Sequence, residues 1–355
     1  MYVEKIPAII KGIAKKLLQQ RKYSDKTGGT NSSRYCYSTW MRHLVFAHQN
    51  GVSCKSGTIA ELGPGDSMGI GLTALLTGFD RYYALDVYKY WDADRNLRIF
   101  DELVSLLKKR TPIPNDNEFP RLSPSLNNYE FPAHILTSEL LNEALSEERI
   151  QSIRNEIMQL DNESFKNKII QYHIPWNKNA VIEPHSADFI ISQAVLQYVD
   201  DLDDTYRCMH QWLKPGGYMS HSIDFSSHGL SHSWNGHWTF SNKEWRIAHG
   251  NDVILLNREP VSRHLECNQQ NNFEIVGRLN YEKFSRLTNK NFYGKFRNLS
   301  KEDYKTFVSV IISRKNALVS NLLIFLSDIE IFFSKLYEGS CKYGLEKAIL
   351  MVEEL

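Results

Sequence analysis

The chain has 355 residues, enough for one large domain or two smaller ones, and 42% hydrophobic against 23% charged residues, which excludes a chain disordered throughout. Lys+Arg is 42 and Asp+Glu is 41, a formal charge of +1, so no global field draws the chain onto nucleic acid. Five cysteines lie scattered with no Cys-x-x-Cys pair, against a zinc ribbon or a disulfide scaffold.

Residues 1–50 form a first segment. Residues 5–22 carry six Lys/Arg, and Ile6, Ile9, Ile10, Ile13 and Leu17 recur at helical spacing. This predicts a basic amphipathic helix suited to peripheral contact with anionic lipid, or to packing on the protein or on a second copy in a homo-oligomer. Lys11, Lys15 and Lys16 interrupt the apolar stretch, so it does not read as a secretory signal. With no run of about 18 uninterrupted apolar residues, the expected location is cytoplasmic, with peripheral attachment at the inner membrane face as an extension. A polar loop with Gly28-Gly29 precedes a helix over 34–48.

The expected main domain spans 51–315. A strand at Thr58–Leu62 runs into Gly63-Pro-Gly-Asp-Ser-Met-Gly69 and an apolar helix. A second strand, 81–86, and an amphipathic helix over 94–109 complete a βαβ unit. Residues 92–168 read as a Pro-containing insertion with polar helices near 138–160. Alternation resumes with strands at 168–172 and 187–192, a helix at 200–212, a Lys214-Pro-Gly-Gly217 turn, and strands at 218–225, 272–279 and 306–312. Seven strands separated by helices predict an α/β fold: a Rossmann-like, mostly parallel sheet with helices on both faces. The apolar but charge-broken residues 316–355 read as a C-terminal helical segment.

A glycine loop between strand and helix lets backbone approach a ligand where a side chain would block it. Asp86 ends the second strand, placed to accept both hydroxyls of a ribose. A hydride-transfer enzyme holding NAD is one reading of such a loop. The motif Glu61-Leu-Gly-Pro-Gly-Asp-Ser67, the strand-to-loop run Ala187–Val199 and Leu213-Lys-Pro-Gly-Gly217 together resemble the class I S-adenosylmethionine-dependent methyltransferases. The resemblance covers about 56–225, apart from the insertion, and is closest to methyltransferases of bacterial surface-polysaccharide gene clusters. It implies S-adenosyl-L-methionine as cofactor, S-adenosyl-L-homocysteine as product, and O-methylation of a sugar or glycan acceptor.

For the cofactor the resemblance implies Glu61, Gly63, Pro64, Gly65, Asp66 and Ser67 in the loop, and Asp86 on the ribose. Val87 and Ile174 would flank the adenine, and Ser192 and Gln193 would lie below the sulfonium. Two departures from the family are Gln197-Tyr198, where many small-molecule members have Glu-His, and His173-Ile174 near the adenine.

Four histidines, His221, His228, His232 and His237, fall within seventeen residues after the fifth strand, beyond which ligands of open parallel sheets bind. An alcohol acceptor must lose its proton, and histidine suits that step. The candidates are His228 first and His221 second, with Asp224 as orienter. The expected site holds no metal. The rival reading gives His221, Asp224 and His228 to a divalent ion, and the bland one has the histidines capping loops. Arg34, Tyr35, Tyr37 and Arg42 could close over the cofactor or pack, and Asn257-Arg258 could hold an anionic acceptor or form a surface ion pair. Residues 92–168 and 226–260 are expected to form a lid, with Tyr88, Tyr90, Trp91, Trp234, Trp238 and Trp245 as sugar platforms or core. A small non-sugar acceptor, or an inactive scaffold, is the alternative function. No flipped-base pocket motif follows the fourth strand.

Overall fold

Strand propensity and helical spacing alternate along the chain, and the computed structural model turns that alternation into one seven-stranded sheet in the order β3-β2-β1-β4-β5-β7-β6. The strands are β1 (Thr58–Leu62), β2 (Arg81–Leu85), β3 (Ile170–His173), β4 (Ala187–Gln193), β5 (Leu213–Asp224), β6 (Phe273–Glu282) and β7 (Thr306–Lys315). The first five run parallel, and β7 is antiparallel to both neighbours. The structure describes residues 5–18, 28–53, 56–90, 92–160, 162, 169–176, 181–250 and 255–317. Residues 1–315 form one compact unit and 316–355 a second. The expected C-terminal helix therefore lies almost wholly outside the described residues, as do Lys168, Trp91 and most of the run 251–255.

Helices cover both faces. On one lie α2 (Ser33–Gln49), α3 (Gly69–Leu75), α4 (Ala93–Lys108), α5 (Ser138–Ala144) and α6 (Glu147–Gln159). Trp40, Leu44, Phe100, Leu103 and Ile153 there pack on Ile59, Tyr82, Phe189 and Ile191 of the sheet. On the other face α7 (Leu202–Trp212) and α9 (Val261–Gln270) pack Tyr206, Met209 and Cys267 on Ala60, Ile190 and Met219. The near-continuous burial of β1, β2 and β4 is that of a sheet covered on both sides. A third, smaller cluster joins α1 (Ile6–Leu17) to α8 (Asn242–His249) through Ala8, Phe240, Trp245 and Ala248.

Three expectations are corrected. Lys214–Gly217 is not a turn before the strand: β5 begins at Leu213 paired with Ala187, and the register shifts before Phe189 and Tyr218. The irregularity absorbs the Pro-Gly-Gly within the strand. Residues 92–168 are not a free lid. Their helices α4, α5 and α6 are part of the core layer, and their Pro-rich loop is pinned under α2. The Arg42 guanidinium, fully buried, donates to the carbonyls of Pro114 (2.9 Å) and Leu122 (2.6 Å) and pairs with Asp116 at 2.8 Å. Arg34 pairs with Glu118 and the Tyr37 hydroxyl donates to the Thr111 carbonyl. These side chains of α2 hold the insertion instead of closing over a cofactor.

Candidate active site

In a parallel sheet the strands on either side of a reversal in order send their connections to opposite faces, opening a crevice at their carboxyl ends. Here the reversal lies between β1 and β4. Gly63 follows β1 with φ +63° and Gly65 with φ +73°. A Cβ on Gly63 would stand 2.7 Å from Val195 Cγ2, so backbone freedom and close approach both require glycine there. The Gly63 amide donates to the Leu85 carbonyl at 2.7 Å, tying the loop to the end of β2.

Not every loop residue faces that crevice. Glu61 is buried, and its Oε2 accepts from the Gly71 amide (3.1 Å) and the Tyr82 hydroxyl (2.6 Å). Burial pushes its pKa up to about 8, and the two donors oppose that. Glu61 thus braces the loop against α3 from beneath. Ser67 is likewise occupied: its hydroxyl donates to the Thr30 carbonyl and accepts from the Gly69 amide at 3.1 Å. The Asp66 carbonyl accepts from Arg95 at 2.7 Å.

Asp86 follows β2 directly, beside the glycine loop. Its Oδ1 accepts from the Val87 amide (2.7 Å) and its Oδ2 from the Gly65 amide (3.3 Å), joining strand end to glycine loop. Burial raises its pKa to about 6 against these backbone donors. The Asp86 amide donates to the His173 carbonyl, and the Trp176 amide to the Asp86 carbonyl. The two strand ends run side by side, leaving Val87 (37%) and Ile174 (41%) exposed beside Asp86. A carboxylate acceptor between two exposed apolar side chains suits a ribose diol next to a flat apolar base.

Beyond β4 and β5 the pleat separates the candidate residues. His221 lies on the α7 side, 2% exposed, with Nδ1 bonded to the Ser192 hydroxyl at 2.7 Å and Nε2 unpartnered. Burial, with His43 and His264 nearby, lowers its pKa to about 3. Ser192 is itself fully buried. Gln193 turns to the other face, where its Oε1 accepts from His43 Nε2 at 3.0 Å and its Nε2 donates to Ser222. His43 Nδ1 meets the Ser220 hydroxyl at 2.7 Å, and Ser222 contacts Ser123 of the insertion at 2.6 Å.

Only one of the four clustered histidines meets the predicted orienter. His228 Nε2 lies 3.6 Å from Asp224 Oδ2, a charge contact longer than a hydrogen bond, and Nδ1 lies 3.2 Å from the Tyr198 hydroxyl. Both His228 and Asp224 are partly exposed. His228 adopts φ +46°, a strained value for a non-glycine residue. Burial, then Asp224, raises the Tyr198 pKa to about 12, so the phenol stays protonated beside Nδ1. Tyr198 is the group that sequence reasoning passed over. Its only signal was its place after β4, where it registers as a departure from the family pattern. His232 is exposed. His237 is buried against Trp238 and Trp245.

The metal reading finds no support: among the described residues no group of three His, Cys, Asp or Glu is arranged to hold an ion. Trp234, Trp238 and Trp245 are buried core residues and not sugar platforms. Among the described residues Arg258 forms no ion pair with an acid. It donates to the Phe240 carbonyl and Asn242, between the rings of Trp245 and Phe296. Asn257 donates to the Leu196 and Val199 carbonyls, fixing the turn that carries Tyr198.

A family described as "Methyltransferase domain" matches residues 102–276, just under half of the chain. No curated protein matches. Similar solved structures include an S-adenosylmethionine-dependent methyltransferase from Mesorhizobium loti, at 14% identity and TM-score 0.37, over 77% of this chain and 97% of that one. A second, from Methanosarcina mazei, has 14% identity and TM-score 0.39, over 74% of this chain and 93% of that one. Geranyl diphosphate C-methyltransferase from Streptomyces coelicolor A3(2) has 11% identity and TM-score 0.40, with 78% of each chain covered. The methyltransferase-domain match lies on a doubly wound, seven-stranded α/β sheet.

Proposed function

We propose that this chain is an S-adenosylmethionine-dependent methyltransferase that acts on a hydroxyl oxygen of a sugar or glycan, with His228 as general base. The observation that carries the reading is the chain Asp224–His228–Tyr198 beyond β5, on the carboxyl side of the sheet where the glycine loop also lies. When bound, S-adenosylmethionine supplies a methyl carbon made electrophilic by its sulfonium. Gly63, Pro64 and Gly65 would give backbone approach to it, Asp86 would accept from the ribose hydroxyls, and Val87 and Ile174 would cover the adenine.

Asp224 Oδ2 lies 3.6 Å from His228 Nε2 and would orient the ring as the partner of a base. With the ring hydrogen on Nε2, toward Asp224, Nδ1 is the nitrogen that takes the proton: the Tyr198 hydroxyl passes its proton to Nδ1 as it takes up the proton of the acceptor hydroxyl, leaving that oxygen to receive the methyl group. The polar groups of Tyr198, Asp224 and His228 support an acceptor rich in hydroxyls over an apolar one. A surface-polysaccharide role follows from the resemblance in the sequence.

The test combines acceptor and variant. Purified enzyme with S-adenosylmethionine is offered glycans, free sugars and small non-sugar metabolites, and methylated products are read by mass. His228→Asn should lower kcat by about 10²–10⁴ with S-adenosylhomocysteine affinity unchanged. Turnover of a non-sugar acceptor alone, or an Asn variant with wild-type kcat, would overturn the assignment.

A further inference from the structure

α1 makes two different surfaces from one short sequence. One face is committed to α8. Ala8 and Gly12 are buried, and a Cβ on Gly12 would fall 1.8 Å from the Ile247 carbonyl oxygen, so only glycine lets the two helices approach. Lys5 pairs with Glu244 at 2.9 Å and lies over Phe240. Glu244 is also the capping-box residue of α8, bonded to the Ser241 amide. The orientation of α1 on the domain is thereby set.

The other face points to solvent. Ile6 (47%), Ile10 (61%), Ile13 (45%) and Leu17 (79%) are exposed. At 100° per residue these four fall within about 60° of one another around the helix. They therefore form one unbroken apolar ridge. Ile247 of α8 is also exposed, at 43%. α1 holds three lysines and no acid, and Lys11 and Lys16 are exposed on either side of the ridge. Lys243 and Arg246 of α8 are exposed as well. A soluble surface gains nothing from four large apolar side chains held in water on one line.

We infer that the α1–α8 face docks on an anionic lipid surface, the ridge entering the interface and the flanking cations meeting lipid headgroups. The argument for lipid over a second copy is charge. Two copies meeting ridge to ridge would bring the lysines of both helices together, whereas an anionic bilayer complements all of them. Among the described residues no helix is long and apolar enough to cross a membrane, and the docking is in-plane. The inference does not depend on the identity of the acceptor or on the reaction.

The test is co-sedimentation of the full chain with vesicles of phosphatidylcholine alone and of phosphatidylcholine with 30% phosphatidylglycerol (about), at low and high salt. Binding to the anionic vesicles, weakened at least about tenfold by salt or by neutral lipid, is expected. Ile10→Asp with Ile13→Asp should abolish it, and Lys11→Glu with Lys16→Glu should weaken it about tenfold or more. Retained S-adenosylhomocysteine binding and unchanged circular dichroism report that each variant is folded. If the apolar variant fails that control, the lysine variant and the salt series decide. Equal binding to neutral vesicles, no binding by the wild type, or unchanged binding by folded variants would overturn the inference. So would a wild-type dimer that the apolar substitutions convert to monomer without any vesicle binding.

Discussion

Asp86→Asn is the perturbation that tests the cofactor cleft most directly. The carboxylate already accepts from the Val87 amide at 2.7 Å and the Gly65 amide at 3.3 Å, so the change keeps shape while replacing one acceptor oxygen by an NH₂ that faces a backbone N–H. A hydrogen bond to a charged group contributes about 1.5–3 kcal/mol. Loss of one such bond from the ribose should weaken S-adenosylhomocysteine binding by about 10- to 150-fold. A second signature follows from the raised pKa. The group is about half protonated near pH 6, and only the carboxylate accepts from both ribose hydroxyls. Affinity of the wild type should therefore be full well above pH 6 and fall as pH drops through 6, approaching about tenfold per unit below it. The Asn variant should show no such slope. Calorimetric titration from pH 5 to 8 measures both. Wild-type affinity in a folded Asn variant, or a wild type whose affinity ignores pH, would refute the placement of the ribose at Asp86.

Two further predictions concern the scaffold. Arg42→Ala removes a fully buried guanidinium that binds Asp116 and the carbonyls of Pro114 and Leu122, leaving those acceptors unpaired. Urea unfolding should show a loss of about 3–5 kcal/mol, and a loss under about 1 would mean that the insertion is not anchored through this residue. Acid should also destabilise the protein steeply. Burial lowers His43 to about 4 and His221, His237 and His264 to about 3, while the unfolded histidines titrate near 6.5. Below 6.5 the unfolded state binds more protons, so the stability these neutral rings contribute is complete above pH 6.5 and is lost as pH falls toward 4. Glu61 and Asp86, raised to about 8 and about 6, act in the opposite sense, since their contribution is lost as pH rises. Four histidines outweigh two carboxyls, so the urea midpoint should drop from pH 7 to pH 5. A flat midpoint would contradict neutral burial.

The sheet was legible because each strand is a short apolar run bounded by turn residues. β1 stands at the expected Thr58–Leu62, and β2, expected over 81–86, ends one residue earlier at Leu85. The insertion was legible as an insertion but not as core, since Arg42 reads as a surface residue until the loop carbonyls that surround it are known. The same holds for Trp234 and Trp238: an aromatic beside polar residues fits a sugar platform and a packed layer equally well until burial separates them.

The histidine cluster shows most sharply where reading stops. Proximity in sequence put His221 and His228 in one candidate site, but a strand alternates faces with a period of two. His221 lies within β5 and is carried into the α7 layer, with Ser192 and Tyr206 as neighbours. Ser220 and Ser222, one residue to either side, face α2 and bind His43 and Ser123. Beyond the strand the chain is released from that alternation, and His228, at positive φ, turns back to meet Asp224 and Tyr198. The distinction between a base candidate and a buried neutral ring is therefore a matter of where β5 ends. Extending the pairing of β5 past Asp224 would remove the turn that presents His228. Composition cannot encode that boundary; the antiparallel pairing of Asp224 with Val308 marks the last register position before the site begins.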